Sequence, residues 1–130
     1  GMIFIANRSA DWWPFCIAQF VQLQENIKAF KDAGIGIVAL TYDKPELQQK
    51  FIQQRGIEYP FLSDIDASTI NALDILDKNY QPGEHHYGIP HPGIFILDHN
   101  MKIVGKIFVN NYEKRVNAEA VLAYAKKVLY

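Results

Sequence analysis

Between residues 2 and 40 the chain carries two unbroken apolar runs, Met2-Ile3-Phe4-Ile5-Ala6 and Ile35-Gly36-Ile37-Val38-Ala39-Leu40, separated by one stretch of helical periodicity. This order constrains the fold more than any other feature of the sequence. A short apolar run without alternation reads as a strand covered on both faces, and strands of that kind belong to parallel sheets. Between the runs, Cys16, Phe20, Leu23, Ile27 and Phe30 recur at helical spacing, with Ile17 and Val21 widening the face. Gln22, Gln24, Glu25 and Lys28 fall mostly on the other side. Pro14 suits the first turn, where its missing N–H costs nothing. Gly34 suits the end. Strand, helix and strand in this sequence predict a parallel pair with a right-handed crossover.

The remainder extends the pattern. A second helix is predicted over Pro45 to Arg55, closed by Gly56. Tyr59-Pro60-Phe61-Leu62-Ser63-Asp64 reads as a short strand at a sheet edge, because Pro60 cannot donate to a ladder. A short helix over Ala67 to Leu73 precedes a polar loop, Asp77 to Tyr87, that carries Pro82-Gly83. Loops of that length are often functional. Gly93 to Leu97 and Lys102 to Val109 read as a hairpin about Asp98-His99-Asn100. A last helix is predicted over Asn117 to Leu129. The order β-α-β-α-(β-α)-β-β-α is that of an α/β protein, with helices on both faces of a mixed sheet. Chemistry in such sheets sits at the carboxyl ends of the parallel strands. For the first strand that end is the stretch from Arg8 to Cys16.

Residues 1–130 suit a single domain. A net charge of -1 gives no basic face, so nucleic acid is not an expected partner. No leader pattern and no membrane-spanning run is seen, so no membrane association is expected. One cysteine rules out an internal disulfide and fits a reducing, cytoplasmic setting.

The segment Ser9-Ala10-Asp11-Trp12-Trp13-Pro14-Phe15-Cys16 is similar to the strand-loop-helix motif Trp-Cys-Pro-x-Cys of redoxins. Three further stretches agree with it: Tyr59 to Asp64, Tyr87 to Asp98, and Val109 to Arg115. Together, in this order and spacing, they resemble the alkyl hydroperoxide reductase / thiol-specific antioxidant, or peroxiredoxin-like, family. The resemblance spans nearly the whole chain. It implies a thioredoxin-like three-layer α/β/α sandwich with a mixed four- to five-stranded sheet. It also implies a chain that is short at its N-terminus, lacking the hairpin seen in relatives, so that its first strands expose an edge a homodimer could cover. The activity it implies is a thiol peroxidase or oxidoreductase, an antioxidant function, with a peroxide or thiol/disulfide substrate, an external thiol reductant and no cofactor.

Two departures bear on that activity. Trp13 stands where redoxins carry the first cysteine and where peroxiredoxins carry a hydroxyl donor. Pro92 stands where peroxiredoxins carry an arginine and thioredoxins a cis-proline. Cys16 aligns with the peroxide-attacking cysteine. In a first helical turn its sulfur meets free N–H groups and the positive dipole end, which favours the nucleophilic thiolate. The same position can equally hold a buried cysteine acting as a small hydrophobe. Without a second thiol, dithiol exchange is closed, and a one-cysteine cycle through a sulfenic acid is what remains.

The helpers such a cycle needs are His91, near the sulfur as base or thiolate stabiliser, and a cation from Arg8 or Arg115. Each arginine could also be a solvated surface charge. Trp12, Trp13, Pro14 and Pro92 form the expected substrate or partner loop, with the two tryptophans roofing the helix terminus. Cys16 with His85, His86 and His91 would be an acceptable zinc set in kind, but the spacing matches no standard site, and no metal is expected. His85 and His86 read as solvated loop residues. The alternative function is a redox-inactive thioredoxin-fold module for binding or assembly. An exposed sulfur favours catalysis, and a sulfur packed under Trp13 and Phe20 favours the inert module.

Overall fold

The computed structural model describes residues 1–108 and 115–130. Strands β1 (Met2–Ala6), β2 (Gly36–Thr41), β3 (Phe61–Ser63), β4 (Gly93–Leu97) and β5 (Ile103–Phe108) form one sheet in the order β3-β2-β1-β4-β5. β1 pairs parallel with β2, from Met2 opposite Gly36 to Ala6 opposite Leu40. β2 pairs parallel with β3, while β4 runs antiparallel to both β1 and β5. The mixed five-stranded sheet expected from the sequence is therefore present, with β3 at one edge. β1 is held on both sides, so the expected exposed edge at the first strands is not there; the edges belong to β3 and β5.

Side-chain alternation separates two layers of core. Ile3, Ile5, Ile37, Ala39, Ile94 and Ile96 lie on one face and are buried by four helices. These are α1 (Pro14–Glu25) with Phe20 and Leu23, α2 (Ile27–Asp32) with Phe30, α3 (Pro45–Arg55) with Phe51, and α5 (Ala118–Leu129) with Val121 and Ala125. The other face presents Ala6, Leu40 and Phe95 to α4 (Ser68–Ala72) and its flanks, through Ala67, Ile70 and Ile75. Helices cover both faces, but unequally.

The predicted first helix is divided. Asn26 (φ -105°, ψ 12°) breaks it into α1 and α2, and its side-chain amide donates to the Gln22 carbonyl at 2.9 Å. An asparagine that competes for a helical carbonyl in this way weakens the helix at that turn. α3 ends as expected at Gly56, whose φ of 63° suits a residue without a β-carbon. Tyr59 ties the start of β3 to α1, its hydroxyl donating to the Phe20 carbonyl at 2.6 Å. No helix among the described residues is long and apolar enough to cross a membrane. The predicted strand end at Val109 and the Val109–Lys114 part of the family-like stretch lie outside the described residues.

Candidate active site

Cys16 is the third residue of α1, directly beyond the carboxyl end of β1. Trp13 caps the helix with extended backbone, Pro14 takes the first position, and no acidic residue occupies the first turn. The sulfur therefore sits at the positive end of the helix with no carboxylate beside it in that turn. Two donors reach it. The Arg8 backbone N–H lies 3.2 Å from Sγ, and Nη2 of Arg115 lies 3.1 Å from it. Cys16 itself is fully buried. Arg115 is steadied in turn: its Nε donates to Oδ1 of Asn7 at 3.2 Å, and Nδ2 of Asn7 donates to Oε1 of Gln19 at 2.9 Å.

The loop between β1 and α1 is fixed by buried polar contacts. The Asp43 carboxylate accepts from the Ser9 hydroxyl at 2.6 Å, the Ala10 N–H at 2.8 Å and the Thr41 hydroxyl at 2.7 Å. Satisfying a buried carboxylate this fully is what makes its burial tolerable. Arg8 directs its guanidinium away from the strand end to Asp77, forming a buried ion pair at 2.9 Å, and lies 4.7 Å over the Trp13 ring. Asp77 opens the long loop that returns to β4. That loop closes over the helix terminus, with His86 stacked on Trp12 at 4.4 Å and edge-on to Trp13 at 6.0 Å. Tyr42 and Tyr80 complete the aromatic cluster. Burial pushes the Tyr42 phenol up, and its hydrogen bond with Trp12 offsets part of that rise.

The structure brings together Cys16, Arg115, the Arg8 amide, Trp12 and Trp13. It does not bring His91 to the sulfur. His91 is exposed and lines an open groove of about 590 Å³ with Phe95, Lys106 and Phe108. Period-two alternation explains this, since His91 and Phe95 share the sheet face opposite the one on which Cys16 is buried. Pro92 also departs from expectation. No peptide bond among the described residues is cis, so Pro92 is trans, and it is buried rather than offered to a partner. Its neighbour's amide, His91 N–H, is taken by the Ile75 carbonyl at 2.7 Å. Arg8 is 4 % exposed, so it is not a surface charge. Arg115 is half-buried. His86 is not a solvated loop residue but part of the roof. Pro14 is exposed. No group of three or more His, Cys, Asp and Glu placed to hold a metal occurs among the described residues.

Asn7, Asp43 and Asp77 were not singled out from the sequence. Asp43 carried a signal, since Thr41-Tyr42-Asp43 ends a parallel strand where such sheets place their functional groups. Asp77 and Asn7 pair with residues 69 and 108 positions away, and spacing carries no trace of that.

Residues 2–106 match the AhpC/TSA family. The chain belongs to that family. Peroxiredoxin Bcp of Escherichia coli is 28% identical over 90 residues, covering 69% of this chain and 57% of that protein. Peroxiredoxin 2 of Picrophilus torridus is 21% identical over 112 residues, 82% of this chain and 52% of its own length. The chain thus spans little more than half of these curated relatives. The fold is shared with Xanthomonas campestris peroxiredoxin Q, at TM-score 0.81 and 23% identity over 97% of this chain and 77% of that one. Enterococcus faecalis AhpC superposes at TM-score 0.82 with 18% identity, over 97% of this chain and 72% of its own. This AhpC/TSA chain keeps that thioredoxin-type fold, and Cys16 is the one cysteine in its sequence.

Proposed function

We propose that this AhpC/TSA chain is a one-cysteine thiol peroxidase in which Cys16 is the nucleophile and Arg115 the cation at the sulfur. The observation that carries the proposal is the 3.1 Å contact from Arg115 Nη2 to Cys16 Sγ, opposite the Arg8 amide at 3.2 Å. Two donors converge on one sulfur at a helix N-terminus, where they face the atom that would attack. They also stand where negative charge shifts onto oxygen as the peroxide bond breaks. Arg115 takes the place left by Pro92, from a different part of the chain. The likeness to proteins named peroxiredoxins supports the same chemistry, and a related X. campestris protein is described by its alkyl peroxide reduction activity.

The cycle balances as follows. The Cys16 thiolate attacks the terminal oxygen of a hydroperoxide; an S–O bond forms and the O–O bond breaks. Cys16 becomes a sulfenic acid, and the leaving alkoxide or hydroxide takes a proton. An external thiol then displaces water to give a mixed disulfide, and a second thiol releases Cys16. Two electrons pass from the thiols to the peroxide. A cytoplasmic, reducing setting supplies such thiols. A homodimer would form through the exposed Ile103, Val104 and Phe108 of edge strand β5.

Full burial of Cys16, in the core cluster that holds Phe20 and is packed by Trp13, favours the second reading, a redox-inactive module of the same fold. The experiment that separates the two is peroxide oxidation at pH 7, read by dimedone trapping and intact mass, with Cys16→Ser as control. A peroxide-dependent dimedone adduct on the wild type, absent in Cys16→Ser, is expected. A thiol that stays reduced under millimolar peroxide leaves the inert module.

A further inference from the structure

Resting on that reading of the site, we infer that Asn7 is the positioning residue for Arg115, with Gln19 setting its orientation. Arginine offers donors only, so whatever steadies its guanidinium must present an acceptor. An asparagine side chain has one acceptor end and one donor end, and an amide can turn either toward its neighbour. Asn7 presents Oδ1 to Arg115 Nε at 3.2 Å, which leaves Nδ2 to be satisfied elsewhere. Gln19 Oε1 accepts from it at 2.9 Å. With Asn7 fully buried and Gln19 7 % exposed, reversing the amide would set donor against donor at one end and acceptor against acceptor at the other.

The backbone of Asn7 is fixed as well, since its N–H donates to the Leu40 carbonyl at 3.0 Å as the strand pair ends. The line Gln19, Asn7, Arg115, Cys16 therefore runs from α1 across the end of β1 and back to the sulfur in α1. Neither side-chain amide hydrogen-bonds to Sγ, whose donors among the described residues are the Arg8 N–H and Arg115. Their effect on the thiol passes through where they hold one guanidinium. The same contacts account for two polar side chains buried at a strand end that an apolar pair would otherwise fill.

The test uses the full chain and reads alkylation of Cys16 by iodoacetamide across pH, which does not depend on peroxidase activity. Asn7→Leu keeps the branched heavy-atom framework and removes both hydrogen bonds. It is expected to slow alkylation at pH 7 about tenfold. Arg115→Met should do the same, and the double variant should be no slower than Arg115→Met alone. Should Asn7→Leu fail to fold, Gln19→Leu on α1 replaces it, with the same non-additivity expected against Arg115→Met. A wild-type chain alkylated no faster than Asn7→Leu, or losses from Asn7→Leu and Arg115→Met that multiply, would overturn the inference. If the coupling appears but peroxide leaves the thiol unoxidised, the positioning role stands and the peroxidase reading alone fails.

Discussion

Removing the carboxylate of Asp77 tests how the long loop is held over the site. Arg8 and Asp77 side chains are 5 % and 4 % exposed and meet at 2.9 Å. Asp77→Ala removes a carboxylate from a buried guanidinium, and breaking a buried pair in this way costs about 3–5 kcal/mol. Two features set the value within that range. Arg8 keeps its position over Trp13, at 4.7 Å from the ring centre, which retains part of its stabilisation. Against that, Asp77 Oδ1 also accepts from the Asn79 N–H at 3.0 Å, and this bond is lost too. About 3 kcal/mol is the resulting expectation for Asp77→Ala. With a urea slope of roughly 1.5 kcal/mol/M, the unfolding midpoint should fall by about 2 M. The double variant Arg8→Met/Asp77→Leu should recover most of the loss, because an apolar pair of similar volume replaces a desolvated ion pair at little net cost. A midpoint shift below about 0.5 M for the single variant, or a double variant as unstable as the single, would refute a buried, interdependent pair.

Two further perturbations read other parts of the fold. Gly93 stands opposite Phe108 across the β4–β5 ladder, and a β-carbon added there collides with the Phe108 ring; Gly93→Ala should cost about 1–3 kcal/mol. Denaturant titration should show that cost shrinking in Gly93→Ala/Phe108→Ala, since removing the ring removes the collision. Burial pushes the Tyr59 phenol well above its ordinary value of 10.0, so the folded chain holds that proton more tightly than the unfolded one. The associated stability is fully present below about pH 10 and is lost as pH rises beyond it. Tyr59→Phe should cost about 1 kcal/mol at pH 7, through the lost bond to the Phe20 carbonyl. Above pH 10 it should show a shallower fall in stability than the wild type; equal slopes would count against the assignment.

The fold was legible because its signals are local. Apolar runs, helical spacing, Pro14, Gly56 and Pro60 each act within a few residues of where they stand. The break at Asn26 was missed for a related reason: the apolar spacing runs through it, and only the side-chain bond to Gln22 interrupts the helix. The candidate site was legible in its cysteine and half-legible in the cation beside it. Arg8 and Arg115 were both candidates by position, and the sequence could not say that one lends its backbone amide and the other its guanidinium.

His91 shows why proximity along the chain misleads at a strand end. It lies one residue before Pro92 and two before β4, at the level of the site, yet each residue along a strand reverses the face. A residue one position later would have pointed toward the Cys16 layer, and that position is Pro92, which has no charge to offer. The guanidinium at the sulfur comes instead from Arg115, beyond β5. Asn7, one residue beyond β1, accepts from that guanidinium, and Gln19 on α1 accepts from Asn7, so both work from the two elements that also flank Cys16.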